Sequence, residues 1–194
     1  MKKPLLIGIA GGSASGKTTF CGKLEKFLSN YTIKTLHMDD YFKPEKNRPY
    51  VESPINGKMY TDDNHPNSVN LLQFKKDLFH SLKDNYNIVI IEGLLTLWDK
   101  EIYSRLDLKL YIDCLSDERI VRRLRRNMSW GLNFDEISNV YLDMVRYRHD
   151  EFVEPTKWKA DIILNGSSPS ENSLLAIIGL VENKMKIFYG GKNA

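Results

Sequence analysis

Residues 11–19 read GGSASGKTT, which fits the pattern G-x-x-x-x-G-K-[ST] from Gly11 through Gly16, Lys17 and Thr18. The glycines let backbone N–H groups turn inward around phosphate oxygens. A helix beginning near Lys17 adds its positive N-terminal end to the same cradle. Lys17 is then a mobile cation for β- and γ-phosphates, and the Thr18 hydroxyl can ligate Mg2+. The candidate nucleotide-binding residues are Gly11, Gly12, Ser13, Ala14, Ser15, Gly16, Lys17, Thr18 and Thr19. A chance match in a Gly-rich turn is the alternative, and the flanks decide against it. LLIGIA (5–10) is a continuous apolar run of the kind that forms a buried parallel strand, while residues 18–30 place Phe20, Leu24, Phe27 and Leu28 at helical spacing. The same start, with two lysines ahead of apolar and small residues, imitates a secretory leader. Its apolar part is only about seven residues, at the short end for one, and a first strand accounts for it better.

Working outward, TIKTLH (32–37), NIVIIEG (87–93), DLKLYID (107–113) and ADIIL (160–164) read as further strands. Helices are expected over 69–83, 116–128, 134–152 and 170–187. Strands alternating with helices predict an α/β fold, a five-stranded parallel sheet with helices on both faces and a helical lid. Residues 43–70 are rich in Pro, Asn, Asp and Lys and read as a long functional excursion. One domain spanning 1–194 is expected, with a lid over about 116–135 and an acceptor-binding excursion over about 41–70.

Composition narrows the class. The 194 residues are 42% hydrophobic and 27% charged, with a net charge of +3, too mild to imply nucleic-acid binding. No apolar run approaches the roughly 20 residues of a membrane span. Cys21 and Cys114 show no metal spacing and read as reduced thiols, so a cytoplasmic protein is expected.

A phosphate cradle leaves open where the phosphoryl group goes. The guanine-reading N-K-x-D pattern is missing, since NKMK (183–186) lacks its Asp. Three strands end in acids, at Asp39 and Asp40, at Glu92 and at Asp113, and ligands of a parallel sheet bind beyond those ends. Glu92 reads as the Mg2+ acid, direct or through water, and Asp39 as the base that orients an acceptor hydroxyl. Asp113 reads as structural. Residues 117–127, DERIVRRLRRN, place Arg119, Arg122, Arg123 and Arg126 on one helical face. A solvated face is the ordinary reading of such a stripe. A lid closing over the γ-phosphate, with Arg122 and Arg126 as the catalytic choices, offsets the repulsion of close cations better.

Taken together, GGSASGKTT, MDDYFKP, NHPNSVN, IIEGLL, RIVRRLRRN and FVEPTKWKADIIL resemble, in order, the uridine kinase branch of the P-loop nucleoside kinases. That branch includes phosphoribulokinase and nicotinamide riboside kinase relatives. The last segment matches F-x-x-P-[ST]-K-x-x-A-D through Phe152, Pro155, Thr156, Lys157, Ala160 and Asp161. The resemblance implies that Asp39 is the base at a ribose 5′-hydroxyl and helps order the metal, with Tyr41 and Phe42 walling the acceptor pocket. It implies Glu92 and Thr18 at Mg2+, Arg126 in the lid and Asn165 with Gly166 near the adenine. It also implies Asn64 and His65 at the acceptor, ATP or GTP as donor, and a homo-oligomer.

Three departures concern the acceptor. Asn64 stands where the family carries the Asp that holds the ribose hydroxyls. The pyrimidine-recognising hairpin with Tyr and His is missing before NIVIIEG. SWGLN (129–133) replaces an arginine-containing lid segment, and Trp130 either stacks on a ligand or packs the lid. The expected activity is phosphorylation of a nucleoside, uridine or cytidine first. The competing readings are a kinase of another sugar-bearing acceptor, such as nicotinamide riboside or a pentose phosphate, and a nucleotide-binding regulator without an acceptor. Arg146, Arg148 and His149 either reach the acceptor or lid, or form the polar face of a helix.

Overall fold

The computed structural model describes residues 3–190, so the expected domain limits run past it at both ends. The chain opens with β1 (Leu5–Gly11), α1 (Lys17–Phe27) and β2 (Ile33–His37). Then come a short hairpin of β3 (Tyr50–Glu52) and β4 (Met59–Thr61), α2 (Leu71–Ser81), β5 (Ile88–Glu92) and α3 (Lys100–Tyr103). It continues through β6 (Leu108–Asp113), α4 (Ser116–Ser129), α5 (Phe134–Val140) and α6 (Arg146–Phe152), and closes with β7 (Ile162–Asn165) and α7 (Glu171–Gly190).

Five strands form one parallel sheet in the order β2-β5-β1-β6-β7. The continuous apolar run of β1 follows from its place at the centre, covered on both faces. Leu5, Ile7 and Ile9 pack with α1 and α7, including Leu24, Ile177 and Val181. Leu6 and Ala10 point the other way, toward Phe74 and Leu78 of α2 and the Leu94–Leu97 turn. Each fully buried Leu or Ile here contributes roughly 1.5–3 kcal/mol. The strand order reverses beside β1, and the crevice outside the carboxyl ends at such a point is where ligands bind in open α/β sheets.

The structure departs from the sequence reading in two places. The 43–70 excursion contains the β3–β4 hairpin. Its Val51 and Tyr60 pack against a third small cluster of Tyr141, Met144 and Val145. The helix expected over 134–152 is interrupted by a π-helical turn at Tyr141–Val145. Asp143 in that turn ties down the hairpin: its Oδ2 accepts from Tyr60 Oη at 2.7 Å and Asn56 Nδ2 at 2.6 Å, and its carbonyl accepts from Ser53 Oγ at 2.9 Å.

Where β5 ends, Gly93 allows a close approach. A Cβ placed there would lie 2.5 Å from the Met38 Cβ. Met38 opens the 3-10 turn Met38–Tyr41, which carries Asp39. Gly93→Ala should therefore push that turn away from β5, costing about 1–3 kcal/mol as overpacking does. A thermal melt should show the midpoint falling by several degrees; an unchanged midpoint would mean the turn has room to give.

Candidate active site

The cradle between β1 and α1 depends on backbone conformations that L side chains rarely adopt. Gly11 has φ +144°, Ala14 +63° and Gly16 +101°. Gly11 also runs against β6, where a Cβ would lie 2.4 Å from the Ile112 carbonyl oxygen. Lys17 folds back over the loop and donates from Nζ to the Gly12 carbonyl at 2.9 Å. Burial pushes its pKa down, and the charges of Glu92 and Asp39 oppose that shift. An open cleft of about 550 Å³ runs from residues 13–20 past Asp39 to Arg122, Arg126 and Trp130, and ends at Asn165 and Gly166.

Three of the predicted site residues meet at the carboxyl ends of the central strands. Glu92, 3% exposed, accepts on Oε1 from Thr18 Oγ1 at 3.1 Å. Asp39 stands across the cleft. Desolvation by the surrounding walls raises its pKa, Lys17 opposes the rise and Glu92 adds to it. Asp39 keeps an open path to solvent, so its charge is partly screened. His37 was not singled out from the sequence, yet its Nδ1 lies 2.8 Å from the same Glu92 Oε1. The Asp113 backbone carbonyl accepts from the Gly166 N–H at the turn after β7.

The arginine stripe divides its work. Arg126 and Arg123 converge on Ser13 Oγ at 3.4 and 3.3 Å, and the Arg126 guanidinium lies 4.9 Å from the centre of the Trp130 ring. Arg119 is buried, donates from Nε to the Cys114 carbonyl at 3.1 Å and packs on Gly12. Arg122 turns to the far rim, donating to the carbonyls of Gly166 at 2.8 Å and Ser167 at 3.2 Å. Of the two arginines chosen from the sequence, the structure sets Arg126 at the cradle and Arg122 at the β7–α7 turn. Asn165 caps that turn, its Oδ1 accepting from the N–H groups of Ser167 and Ser168 at 3.0 and 2.9 Å.

The residues expected at an acceptor are held by other parts of the chain. Tyr41 donates its hydroxyl to Asp77 of α2 at 3.0 Å, and Phe42 lies under the Arg48 guanidinium. His65 accepts on Nδ1 from the Asn67 N–H and meets Phe152 edge-on at 5.1 Å. Asn64 is buried and donates from Nδ2 to the Val145 carbonyl at 3.3 Å. The organiser beneath it is Asp62, which sequence reading missed. Asp62 is fully buried, pairs with Arg148 at 2.5 Å and accepts from the N–H groups of Asn64 and His65, both at 3.1 Å.

Residues 64–171 match the family model described as "Phosphoribulokinase / Uridine kinase family". The chain belongs to this family. It is 33% identical over 183 residues to a uridine kinase of Clostridium botulinum, covering 84% of this chain and 89% of the relative. A uridine kinase of Staphylococcus aureus is 35% identical over 188 residues, with coverage of 84% and 88%. Among solved structures, TT1252 from Thermus thermophilus superposes with a TM-score of 0.59 at 20% identity, covering 94% of this chain and 98% of that one. A structure titled as a possible uridine kinase from Bacillus stearothermophilus gives a TM-score of 0.53 at 21% identity, covering 84% and 89%. Both share the P-loop kinase fold.

His149 supports the cradle of this family member from below. It is 4% exposed, and a Cβ on Gly12 would lie 2.9 Å from its Cε1. Its Nε2 lies 3.4 Å from Glu154 Oε2. Burial and the neighbouring Arg119 depress its pKa to about 4, against the pull of Glu154. The unfolded chain therefore binds more protons than the folded one between the ordinary value of about 6.5 and that lowered value. The stability that neutral His149 contributes is fully present above the ordinary value and is lost as pH falls through the window. Melting midpoints from pH 7.5 down to about 4.5 should decline more steeply in the wild type than in His149→Gln; parallel curves would contradict a neutral buried ring.

Proposed function

We propose that the chain transfers the γ-phosphoryl group of ATP, or GTP, to the 5′-hydroxyl of a ribonucleoside, uridine or cytidine first. The observation that carries the reading is that Asp39 and Lys17 line one cleft and act on each other electrostatically. A hydroxyl-orienting carboxylate thus faces a phosphate-binding cation, which a nucleotide-binding regulator without an acceptor has no need of. In this reading residues 1–194 are one P-loop kinase domain, with 116–135 as its lid and 41–70 as its acceptor-binding excursion.

The cradle amides of residues 11–19 and the start of α1 hold the phosphates. Lys17 exchanges the Gly12 carbonyl for a phosphate oxygen. Arg126, with Arg123, closes on the γ-phosphate from the Ser13 side, and Arg122 fixes the Asn165–Gly166 turn beside the base. The acceptor oxygen attacks phosphorus, the bond to the β-phosphate oxygen breaks, and Asp39 takes the acceptor proton. Positioning and charge stabilisation supply the rate, because the phosphoryl transition state is loose.

The residues fit Mg2+. Thr18, Glu92 and Asp39 are all oxygen donors, and Mg2+ typically takes one or two carboxylates and completes its shell with phosphates and water. The Thr18 hydroxyl donates its hydrogen bond to Glu92, which leaves the hydroxyl lone pairs for a cation. When bound, the cation neutralises charge on the β- and γ-phosphates.

A second reading also has an observation behind it. The Asn64 amide is already engaged by the Val145 carbonyl, which favours an acceptor held otherwise than by two ribose hydroxyls, such as nicotinamide riboside or a pentose phosphate. Asp39→Asn separates base from scaffold for either acceptor. Turnover should fall by about 10²–10⁴-fold while ATP affinity stays within about threefold, as expected for loss of a general base. Equal loss of both would make Asp39 structural.

A further inference from the structure

β2 and β5 run parallel with His37 registered directly against Glu92. Their side chains meet at the sheet edge that faces the cradle. Glu92 Oε1 is shared between Thr18 Oγ1 at 3.1 Å and His37 Nδ1 at 2.8 Å. An ionised carboxylate only accepts, so the proton of that second bond sits on Nδ1. The arrangement fixes the carboxylate at one oxygen from two directions and leaves Oε2 without a hydrogen-bond partner among the described residues. Without His37 the one remaining donor to Oε1 among the described residues is Thr18, which the proposed function already assigns to the cation. A carboxylate held by one hydroxyl pivots about it; held by two donors, one on α1 and one on β2, it does not.

We propose that His37 is a positioning residue for the divalent-cation site, acting through Glu92 and touching neither nucleotide nor acceptor. The inference rests on the reading of Glu92 as a cation ligand. Groups that hold a ligating carboxylate from behind govern metal affinity through its orientation. The imidazole suits the role because it is rigid. Its Nδ1 is reached from the strand backbone in few bonds, and its other edge stays partly open to solvent, with the side chain 38% exposed.

The test uses the full chain, Mn2+ as the probe and ADP as the nucleotide. Free Mn2+ is followed by electron paramagnetic resonance, and ADP affinity is measured separately in chelator. His37→Ala should weaken Mn2+ binding by about tenfold, the lower end for such second-layer groups, and leave metal-free ADP affinity unchanged. His37→Asn places an amide nitrogen close to the Nδ1 position and should recover most of the loss, whereas His37→Gln should not. Should the Ala variant fail to fold, the contrast between His37→Asn and His37→Gln carries the test.

Mn2+ affinity in His37→Ala within about twofold of wild type, well short of the loss a carboxylate-orienting group should cause, would overturn the proposal. So would equal losses in the Asn and Gln variants, which would point to packing rather than the hydrogen bond. Glu92→Gln is the control that separates the two levels. If it too leaves Mn2+ affinity unchanged, the cation reading of Glu92 fails and the inference falls with it. If only the His37 variants are silent, the inference alone fails.

Discussion

Five strands point the same way, and most of the chemistry in this chain follows from that constraint. The two central strands β1 and β5, covered on both faces, carry no charged side chain before their last residue, so their polar chemistry collects where the strands end. β1 ends in the cradle, β2 in His37 and the Asp39 turn, β5 in Glu92, and β7 in Asn165. The register of β1 and β2 on β5 then decides which of these groups meet. His37 and Ile9 both pair with Glu92, so the Glu92 carboxylate becomes the junction of three chain segments remote in sequence. The hydrogen bond from Thr18 closes that junction from the first turn of α1.

The cradle itself is under strain that the surrounding packing must hold. Ala14 keeps a left-handed backbone without being glycine, which costs of order 1–3 kcal/mol. Arg119 and His149 press on Gly12 from beneath, and Ile112 of β6 crowds Gly11. The loop is thus shaped from outside as well as by its own glycines. The same packing links the cradle to α6, and α6 continues from the π-helical turn that anchors the β3–β4 hairpin. The cradle and the β3–β4 hairpin thus share one continuous helical support.

Much of this was legible in the sequence, and the reasons are local. The cradle is a contiguous motif, the strands are unbroken apolar runs, and the acids sit where those runs stop. What escaped depends on long-range partners. β3 and β4 have three residues each, too short for alternation to register, and their anchor Asp143 lies more than eighty positions away from the hairpin's Ser53, Asn56 and Tyr60. Helical spacing put four arginines on one face, but it did not tell which carbonyl or hydroxyl each would find. Arg122 went to the rim and Arg123 to the cradle for reasons set by the β7–α7 turn and Ser13. His37 looked like an ordinary strand-end residue, because its partner is known only once β2 pairs with β5. Asp62 drew no attention beside the more conspicuous NHPN, and its ion pair with Arg148 spans 86 positions.

The central claim is that the cleft joins a phosphate donor to an alcohol acceptor, with Asp39 between them. The most direct test is ADP release from Mg2+-ATP against uridine, cytidine, adenosine, nicotinamide riboside, ribulose 5-phosphate and no acceptor. The account predicts strong stimulation by an acceptor bearing a free sugar hydroxyl, uridine or cytidine foremost, over a low background. ATP that binds tightly but yields ADP at the same slow rate with every acceptor would contradict it.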